Sequence, residues 1–261
     1  MEPDSIERAA DALAAAWRGH ERIDALPEDC RPASAEEGFA IQQALNDRLG
    51  RETVGWKLAH SSPPAMARIG VTPPPPGRLF AQTVKNTPAV YGRHELHAPR
   101  LEPEFAFLLA SDLTFGDGPC TEDQAAAAVD SLHLAIEIAD SRYHDPQAVG
   151  IPSAIADNMG TGGFIVGPAV ADWRDANLRS GPVRLLIDGK VEAEQMASED
   201  RCDPLWVLAA AATNLARNGE TLRAGQYVST GAHITPHPVP LGHVVVADFG
   251  DLGAVEVTLE A

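Results

Sequence analysis

Glu102 and Glu104 stand two apart in Arg100-Leu101-Glu102-Pro103-Glu104-Phe105-Ala106-Phe107-Leu108-Leu109, an apolar run that reads as a β-strand. Side chains two apart on a strand share a face, so the two carboxylates sit side by side against residues that must be buried. Adjacent carboxylates repel, and burying them unpaired costs free energy. A cation between them resolves both problems, and a hard divalent metal with oxygen ligands is the simplest choice. The plain alternative is an exposed edge strand with solvated carboxylates. Pro103 favours that alternative, because proline suits edges.

A third carboxylate strengthens the metal idea. In Leu132-His-Leu-Ala-Ile-Glu-Ile-Ala-Asp140 the large aliphatics alternate with smaller or polar residues, which puts Ala135, Glu137 and Ala139 on one face of a strand. Glu137 is a charge among aliphatics and needs a partner. It has two options: an ion pair with Lys57 or Arg142, or a share in the cation held by Glu102 and Glu104. Three carboxylates and about three water or substrate oxygens complete the near-octahedral shell that Mg2+ or Mn2+ prefers. Lys57 lies in a short strand, 53–58, where a lysine ordinarily packs its stem and keeps its ammonium in water. His60, just beyond, is either a satisfied loop histidine or a group titrating in the range useful for proton transfer.

Other chemistry-bearing patterns are weaker. His233, His237 and His243 are separated by prolines and a glycine, with no HExxH and no nearby cysteine. They read as a polar loop rather than a zinc site. Gly160-Thr161-Gly162-Gly163 lacks the lysine and spacing of a P-loop and precedes the strand-like Phe164-Ile-Val166. It reads as a tight turn whose amides, with the Thr161 hydroxyl, are placed to meet a substrate carboxylate. There is no G-x-S-x-G, and no cysteine has a histidine in a nucleophile pattern.

The elements that must position these groups follow from patterning. Ala-rich 4–19 reads as a helix, as does 35–49, opened by the capping box Ser34-Ala-Glu-Glu37 and stopped at Gly50. Four consecutive prolines before Gly77 read as a rigid connector crossing the surface. Strand candidates follow at 101–110, 131–140, 162–166, 183–188, 226–230, 243–248 and 253–260. One further helix is capped by Asp203, with Pro204 as its first residue and Asn218-Gly219 as its end. Many strands with few intervening helices argue against a doubly wound parallel sheet.

Composition narrows the partners. The 261-residue chain has 44% hydrophobic residues, ordinary for a globular protein with a real core, and a net charge of −17. An acidic chain repels nucleic acid and anionic membranes, so neither is expected as a partner. Cys30, Cys120 and Cys202 are widely spaced and odd in number, which implies free thiols in a reducing, cytoplasmic setting. The first residues have no signal-peptide pattern, and no apolar run reaches the roughly 18 residues of a membrane span.

Six ordered blocks carry a resemblance. They are Val54-Gly-Trp-Lys57-Leu-Ala-His-Ser61, Gly77-Arg-Leu-Phe80, Arg100-Leu-Glu-Pro-Glu104-Phe-Ala-Phe107, Ala135-Ile-Glu137-Ile-Ala-Asp-Ser-Arg142, Ile155-Ala-Asp-Asn158 and Val228-Ser-Thr-Gly231. Together they resemble the 2-keto-4-pentenoate hydratase family, in the hydratase/decarboxylase branch of the fumarylacetoacetate hydrolase-like superfamily. The likeness runs from about residue 35 to Asp248-Phe-Gly-Asp-Leu-Gly253.

The resemblance implies an α+β fold, a β-rich mixed β-sandwich roll with an N-terminal helical region. We divide it as 1–75 for the helical region and 76–261 for the β-rich catalytic body, in one unit. The resemblance places Mg2+ or Mn2+ on Glu102, Glu104 and Glu137 and the active-site lysine at Lys57. His60 joins Lys57 as a catalytic candidate, and Leu79, Gly160 and Thr161 are the candidate substrate contacts. Family members act on small 2-oxo acids or their dienols from aromatic-ring breakdown. The leading activity is hydration of 2-hydroxypenta-2,4-dienoate (2-keto-4-pentenoate). A 4-oxalocrotonate-type decarboxylase with the same metal site is the alternative; it needs an extra cation at the substrate's far end, from Arg68, Arg78 or Arg142. A homo-oligomer is implied, as is association with a related decarboxylase or hydratase. A non-catalytic partner subunit is the alternative from another class, opposed by retention of three carboxylates and Lys57.

Four places depart from the family pattern. Gln82 stands where an aspartate follows Phe80-Ala81, and Ala59-His60 replaces glycine-leucine. Gly160 aligns with a serine, and Ala197-Ser-Glu-Asp-Arg-Cys202 replaces a glycine-rich stretch.

Overall fold

The computed structural model describes every residue, Met1–Ala261. Helix α1 (Pro3–Gly19) starts with proline in its first turn and ends where His20 turns left-handed, φ 49°. Helix α2 (Ala35–Leu49) begins at Ser34, whose side chain accepts the Glu37 N–H, and stops at Gly50, φ 58°. Only half of the expected capping box forms, because the Glu37 carboxylate accepts the Ala33 N–H instead, at 2.7 Å.

The chain continues through β1 (Thr53–Leu58), α3 (Pro63–Ile69), β2 (Pro76–Phe80), β3 (Val84–Asn86), β4 (Ala89–Tyr91), β5 (Arg100–Leu109), α4 (Glu122–Ala127) and β6 (Val129–Ala139). It then forms α5 (Gly150–Ala156), β7 (Thr161–Ala169), β8 (Arg184–Ile187), β9 (Lys190–Glu194), α6 (Pro204–Arg217), β10 (Tyr227–Ser229), β11 (His237–Pro238), β12 (His243–Asp248) and β13 (Ala254–Leu259). No helix is long and apolar enough to cross a membrane. All three cysteines are free and buried.

Two sheets result. The 8-stranded sheet runs β2-β1-β10-β5-β6-β7-β3, with β11 added to β5; the 5-stranded sheet runs β4-β13-β12-β8-β9. The expected roll of mixed sheets with N-terminal helices is what forms. The larger sheet curls into a half-barrel: Leu79 of β2 packs with Phe164 and Val166 of β7, although four strands lie between them in the sheet.

Strand alternation divides the work. On β5, Leu101, Phe105, Phe107 and Leu109 enter a 40-residue core that also takes in β12, β13 and α6. The other face of β5 carries Glu102, Glu104 and Ala106 into the concave side of the half-barrel. A separate 10-residue cluster joins α1, α2 and α5 through residues such as Leu13, Leu45 and Ala156.

The proline run departs from the expected surface connector. Pro74, Pro75 and Pro76 are buried, and Pro76 opens β2. The sheet tolerates it because β2 is an edge strand, where a missing N–H interrupts no second ladder. The short helices α3, α4 and α5 were not expected from the sequence: they are too short to show periodicity, although Thr121 and Gln124 form a capping box at the start of α4.

Candidate metal centre

Strand register builds the site. In the antiparallel β5–β6 ladder Glu102 lies directly opposite Glu137, and Glu104 opposite Ala135. One carboxylate oxygen from each of Glu102, Glu104 and Glu137 lies within 4.8 Å of the others. Glu104 and Glu137 are fully buried and Glu102 half-buried. Lys57 arrives from β1, where it pairs in register with Ser229 of β10, which in turn pairs with Ala106 of β5. Its Nζ lies 2.6 Å from Glu137 Oε1, and only 3% of its side chain is exposed. The contact is an ion pair without hydrogen-bond alignment.

The two oxygens of Glu104 are treated differently. Oε2 accepts from the Ser229 hydroxyl and, at 2.9 Å, from the Gly231 N–H. Oε1 is buried and has no partner. Burial, then the charges of Glu137 and Glu102, hold the Glu104 carboxyl well above the usual carboxylate range, against the pull of Ser229 and Gly231. Burial and then Glu137 push Glu102 up to about 8, with Lys57 and Arg100 opposing. Burial works against the Lys57 charge, but the carboxylates of Glu137, Glu102 and Glu104 outweigh it and raise the ammonium above its ordinary value. The cluster is therefore short of positive charge. An orphaned buried oxygen, three convergent carboxylates and an all-oxygen donor set fit a hard divalent cation.

No family model matches the chain. The 2-keto-4-pentenoate hydratase of Paraburkholderia phymatum is 30% identical over 256 residues, 97% of each chain. The chain belongs to the 2-keto-4-pentenoate hydratase family. A 4-oxalocrotonate decarboxylase from a Pseudomonas species is 32% identical over 85% of this chain and 86% of its own. Among solved structures, the 4-oxalocrotonate decarboxylase of Pseudomonas putida G7, complexed with calcium and acetate, superposes with a TM-score of 0.87. That protein is 25% identical, with 99% of this chain and 98% of its own covered.

In this member of the hydratase family, the wall beside Lys57 is a left-handed turn. Asn158, Met159 and Gly160 have φ of 54°, 52° and 64° in succession. Such backbone is strained for the two non-glycine residues, and several bonds hold it. The Asn158 amide accepts the Arg78 N–H at 2.6 Å and donates to the Arg78 carbonyl at 2.9 Å. Thr161 Oγ1 donates to the Asn158 carbonyl at 2.8 Å. Gly77 lets these parts meet: a Cβ there would lie 2.6 Å from Asn158 O, 2.8 Å from Thr161 Oγ1 and 3.1 Å from Lys57 Cε. Thr161 is thus brought to the lysine. At Gly160, φ 64° is a conformation glycine adopts freely, which gives a physical reason for glycine at that departure.

Arg142 braces the turn from behind. Its Nε donates to Asp157 Oδ1 at 2.7 Å, and its Nη1 to the carbonyls of Asp140 and Thr161 at 2.6 and 2.8 Å. The Trp17 ring of α1 backs the guanidinium at 3.9 Å. Arg142 is therefore committed away from any substrate. Arg78 points to the opposite face of β2, stacked 4.4 Å over Trp56 and paired with Glu220 at 2.6 Å. Arg68 is exposed on α3.

The remaining sequence candidates fall at different distances from the chemistry. His60 is half-buried in a left-handed turn after β1, φ 53°. Burial, Lys57 and Arg68 push it down to about 4, so it is neutral at pH 7. Leu79 is fully buried with Ala106, Ala135 and Phe164, in the floor of the half-barrel. Gln82 is exposed past the far end of β2 from Gly77, so that departure lies away from the carboxylates. His233, His237 and His243 do not converge: His233 is buried with its ring 4.9 Å from Phe105, and His243 Nδ1 is 2.7 Å from Asp188. Residue patterning gave no role to Ser229, Gly231, Gly77 or the Arg142–Asp157 pair. The only available signal was their presence in the ordered blocks. Cys202, at another departure, is buried near Glu104, its thiol pushed up to about 12 by burial and then by that carboxylate.

Proposed function

We propose that the chain is a divalent-metal-dependent lyase that hydrates 2-hydroxypenta-2,4-dienoate, the enol of 2-keto-4-pentenoate, or a close analogue from aromatic catabolism. The observation that carries this reading is the convergence of Glu102, Glu104 and Glu137 within 4.8 Å, with the Lys57 ammonium 2.6 Å from Glu137. The full-length likeness to 2-keto-4-pentenoate hydratases supports it. Glu102, Glu104 and Glu137 would hold Mg2+ or Mn2+, which supplies Lewis-acid polarisation of a 2-oxo acid when bound.

The chain's own residues handle protons. The environment raises Lys57 and lowers His60, which keeps the first protonated and the second neutral at neutral pH, so that one carries a proton to give and the other a free site to take one. In the first step the dienol loses its 2-hydroxyl proton and gains one at C5, giving the conjugated 2-oxo acid. In the second, water adds its oxygen at C4 and one proton at C3, giving the 4-hydroxy-2-oxo acid. Lys57 holds the substrate carboxylate or delivers the proton, and His60 accepts one. Gly160 and Thr161 form the wall against which the substrate lies, over the floor built on Leu79.

Decarboxylation of a 2-oxo diacid is the second reading, favoured by the 32%-identical decarboxylase. The commitment of Arg142 and Arg78 elsewhere weighs toward the hydratase. A cytoplasmic setting accords with three free cysteines. A homo-oligomer, and association with a related decarboxylase or hydratase, belong to the same reading and rest on the family resemblance.

The test is the ultraviolet decay of freshly generated 2-hydroxypenta-2,4-dienoate with Mg2+, with Mn2+ and with chelator, the product identified by mass. Metal-dependent decay to a product heavier by one water is the expected result. No acceleration by metal-loaded protein would overturn the hydratase reading. Release of carbon dioxide from a 2-oxo diacid would then assign the decarboxylase.

A further inference from the structure

We infer that Ser229 is a positioning residue that sets which metal the site prefers, by presenting Glu104 through a single oxygen. This rests on the metal reading of the carboxylate cluster. Glu104 has no solvent contact, and neither does Ser229. The Ser229 hydroxyl and the Gly231 N–H both donate to Oε2, which leaves Oε1 as the one oxygen of this carboxylate without a partner.

The donors are themselves fixed. Ser229 is locked in register between Lys57 on one side and Ala106 on the other. Thr230, next in the chain, donates its hydroxyl to the Phe105 carbonyl at 2.9 Å and its N–H to the same carbonyl at 3.0 Å. Gly231 has φ 109°, and Ser61 Oγ fills the place where a Cβ would sit. The carboxylate therefore cannot rotate about its last bond without breaking two hydrogen bonds in a sealed environment, where unmade bonds are costly.

A carboxylate held this way offers one oxygen. Small cations such as Mg2+ and Mn2+ take one oxygen per carboxylate in a near-octahedral shell. Ca2+ accepts more oxygens and uses both from one carboxylate. Pinning Oε2 thus favours the small cations and penalises Ca2+. Removing the hydroxyl loosens Glu104, weakens its hold on a small cation and lets both oxygens reach a larger one.

The experiment is Mn2+ binding by electron paramagnetic resonance, with Ca2+ affinity from competition, on the wild-type chain, S229A and S229T. We expect S229A to bind Mn2+ about 10- to 100-fold more weakly, the range for lost outer partners of metal ligands, while Ca2+ affinity changes much less, because a freed carboxylate can give it both oxygens. S229T keeps a hydroxyl and should keep the wild-type ratio. Where S229A does not fold, S229C, a weak donor, replaces it with the same expected direction. Unchanged Mn2+ affinity in a folded variant, or equal losses for Mn2+ and Ca2+, would overturn the role of Ser229. A wild-type chain that binds neither ion would overturn the metal reading of the cluster, and this inference with it.

Discussion

Glu102 and Glu137 face one another directly across the β5–β6 ladder, two carboxylates in one register pair on the concave face of the sheet. Like charges directly opposite in an antiparallel pair are destabilising by roughly 0.2–1 kcal/mol. The pair is tolerable because burial keeps Glu102 protonated up to about pH 8, because Lys57 touches Glu137, and because a cation fits between the three carboxylates.

E102Q should therefore separate stability from binding. In chelator above about pH 8, where Glu102 carries its charge, its Tm should rise by about 0.4–4 °C, at about 2–4 °C per kcal/mol for a chain of this size. In saturating Mg2+ the order should invert, because the variant has lost a ligand. Calorimetric scans with and without metal check both signs. A fall in Tm under both conditions would show that the pair is not repulsive.

Gly77 is where β2, the 158–160 turn and Lys57 pack together. G77A places a Cβ 2.6 Å from the Asn158 carbonyl, which is backbone and cannot swing aside. The expected cost is about 1–3 kcal/mol, as for other overpacked sites, with kcat falling because Lys57 and Thr161 are pushed apart. Urea unfolding and steady-state kinetics measure the two effects.

The Arg142–Asp157 ion pair is buried on both sides, with 5% and 0% of the side chains exposed. Removing Arg142 leaves Asp157 a buried charge without its counter-ion, held only by the Ser141 hydroxyl and a backbone N–H, so R142M should cost about 3–5 kcal/mol. The double variant R142M/D157L removes both charges and should recover a substantial part of that loss. A double-mutant cycle by chemical denaturation gives the coupling, and additive losses would show that the two charges do not brace each other.

His233 makes acid stability testable. Burial, with a smaller push from Arg201, lowers it from 6.5 to about 3. Both of its ring nitrogens lack partners. In the unfolded chain the histidine takes a proton near its ordinary value, whereas the folded chain resists until much lower. Its contribution is complete above pH 6.5 and is lost progressively as the pH falls toward 3. H233L abolishes this linkage. Between pH 7.5 and 4.5 the wild-type Tm should fall by about 5–11 °C beyond the fall in H233L, from about 1.4 kcal/mol of linkage per pH unit below the unfolded value and about 2–4 °C per kcal/mol. Parallel Tm profiles would show that His233 does not titrate with unfolding.

What the sequence determined by itself is local. The i, i+2 spacing put Glu102 and Glu104 on one face, and the alternation in 132–140 put Glu137 on a face with Ala135. Both hold because a strand's side-chain period is two whatever its neighbours are. The helix boundaries at Ser34, Gly50 and Asp203 were legible for the same reason, since caps act on the nearest turn. The ordered blocks carried the family resemblance and, with it, the roll. Tertiary structure decided which faces meet. The partner of Glu137 was open between Lys57 and Arg142 until the order β1-β10-β5-β6 brought Lys57 across and turned Arg142 back onto Asp157. Ser229, Gly77 and the buried prolines acquired their roles only through strands distant in sequence. Register and sheet order are set by burial summed over the whole chain, and no short window of residues contains that sum.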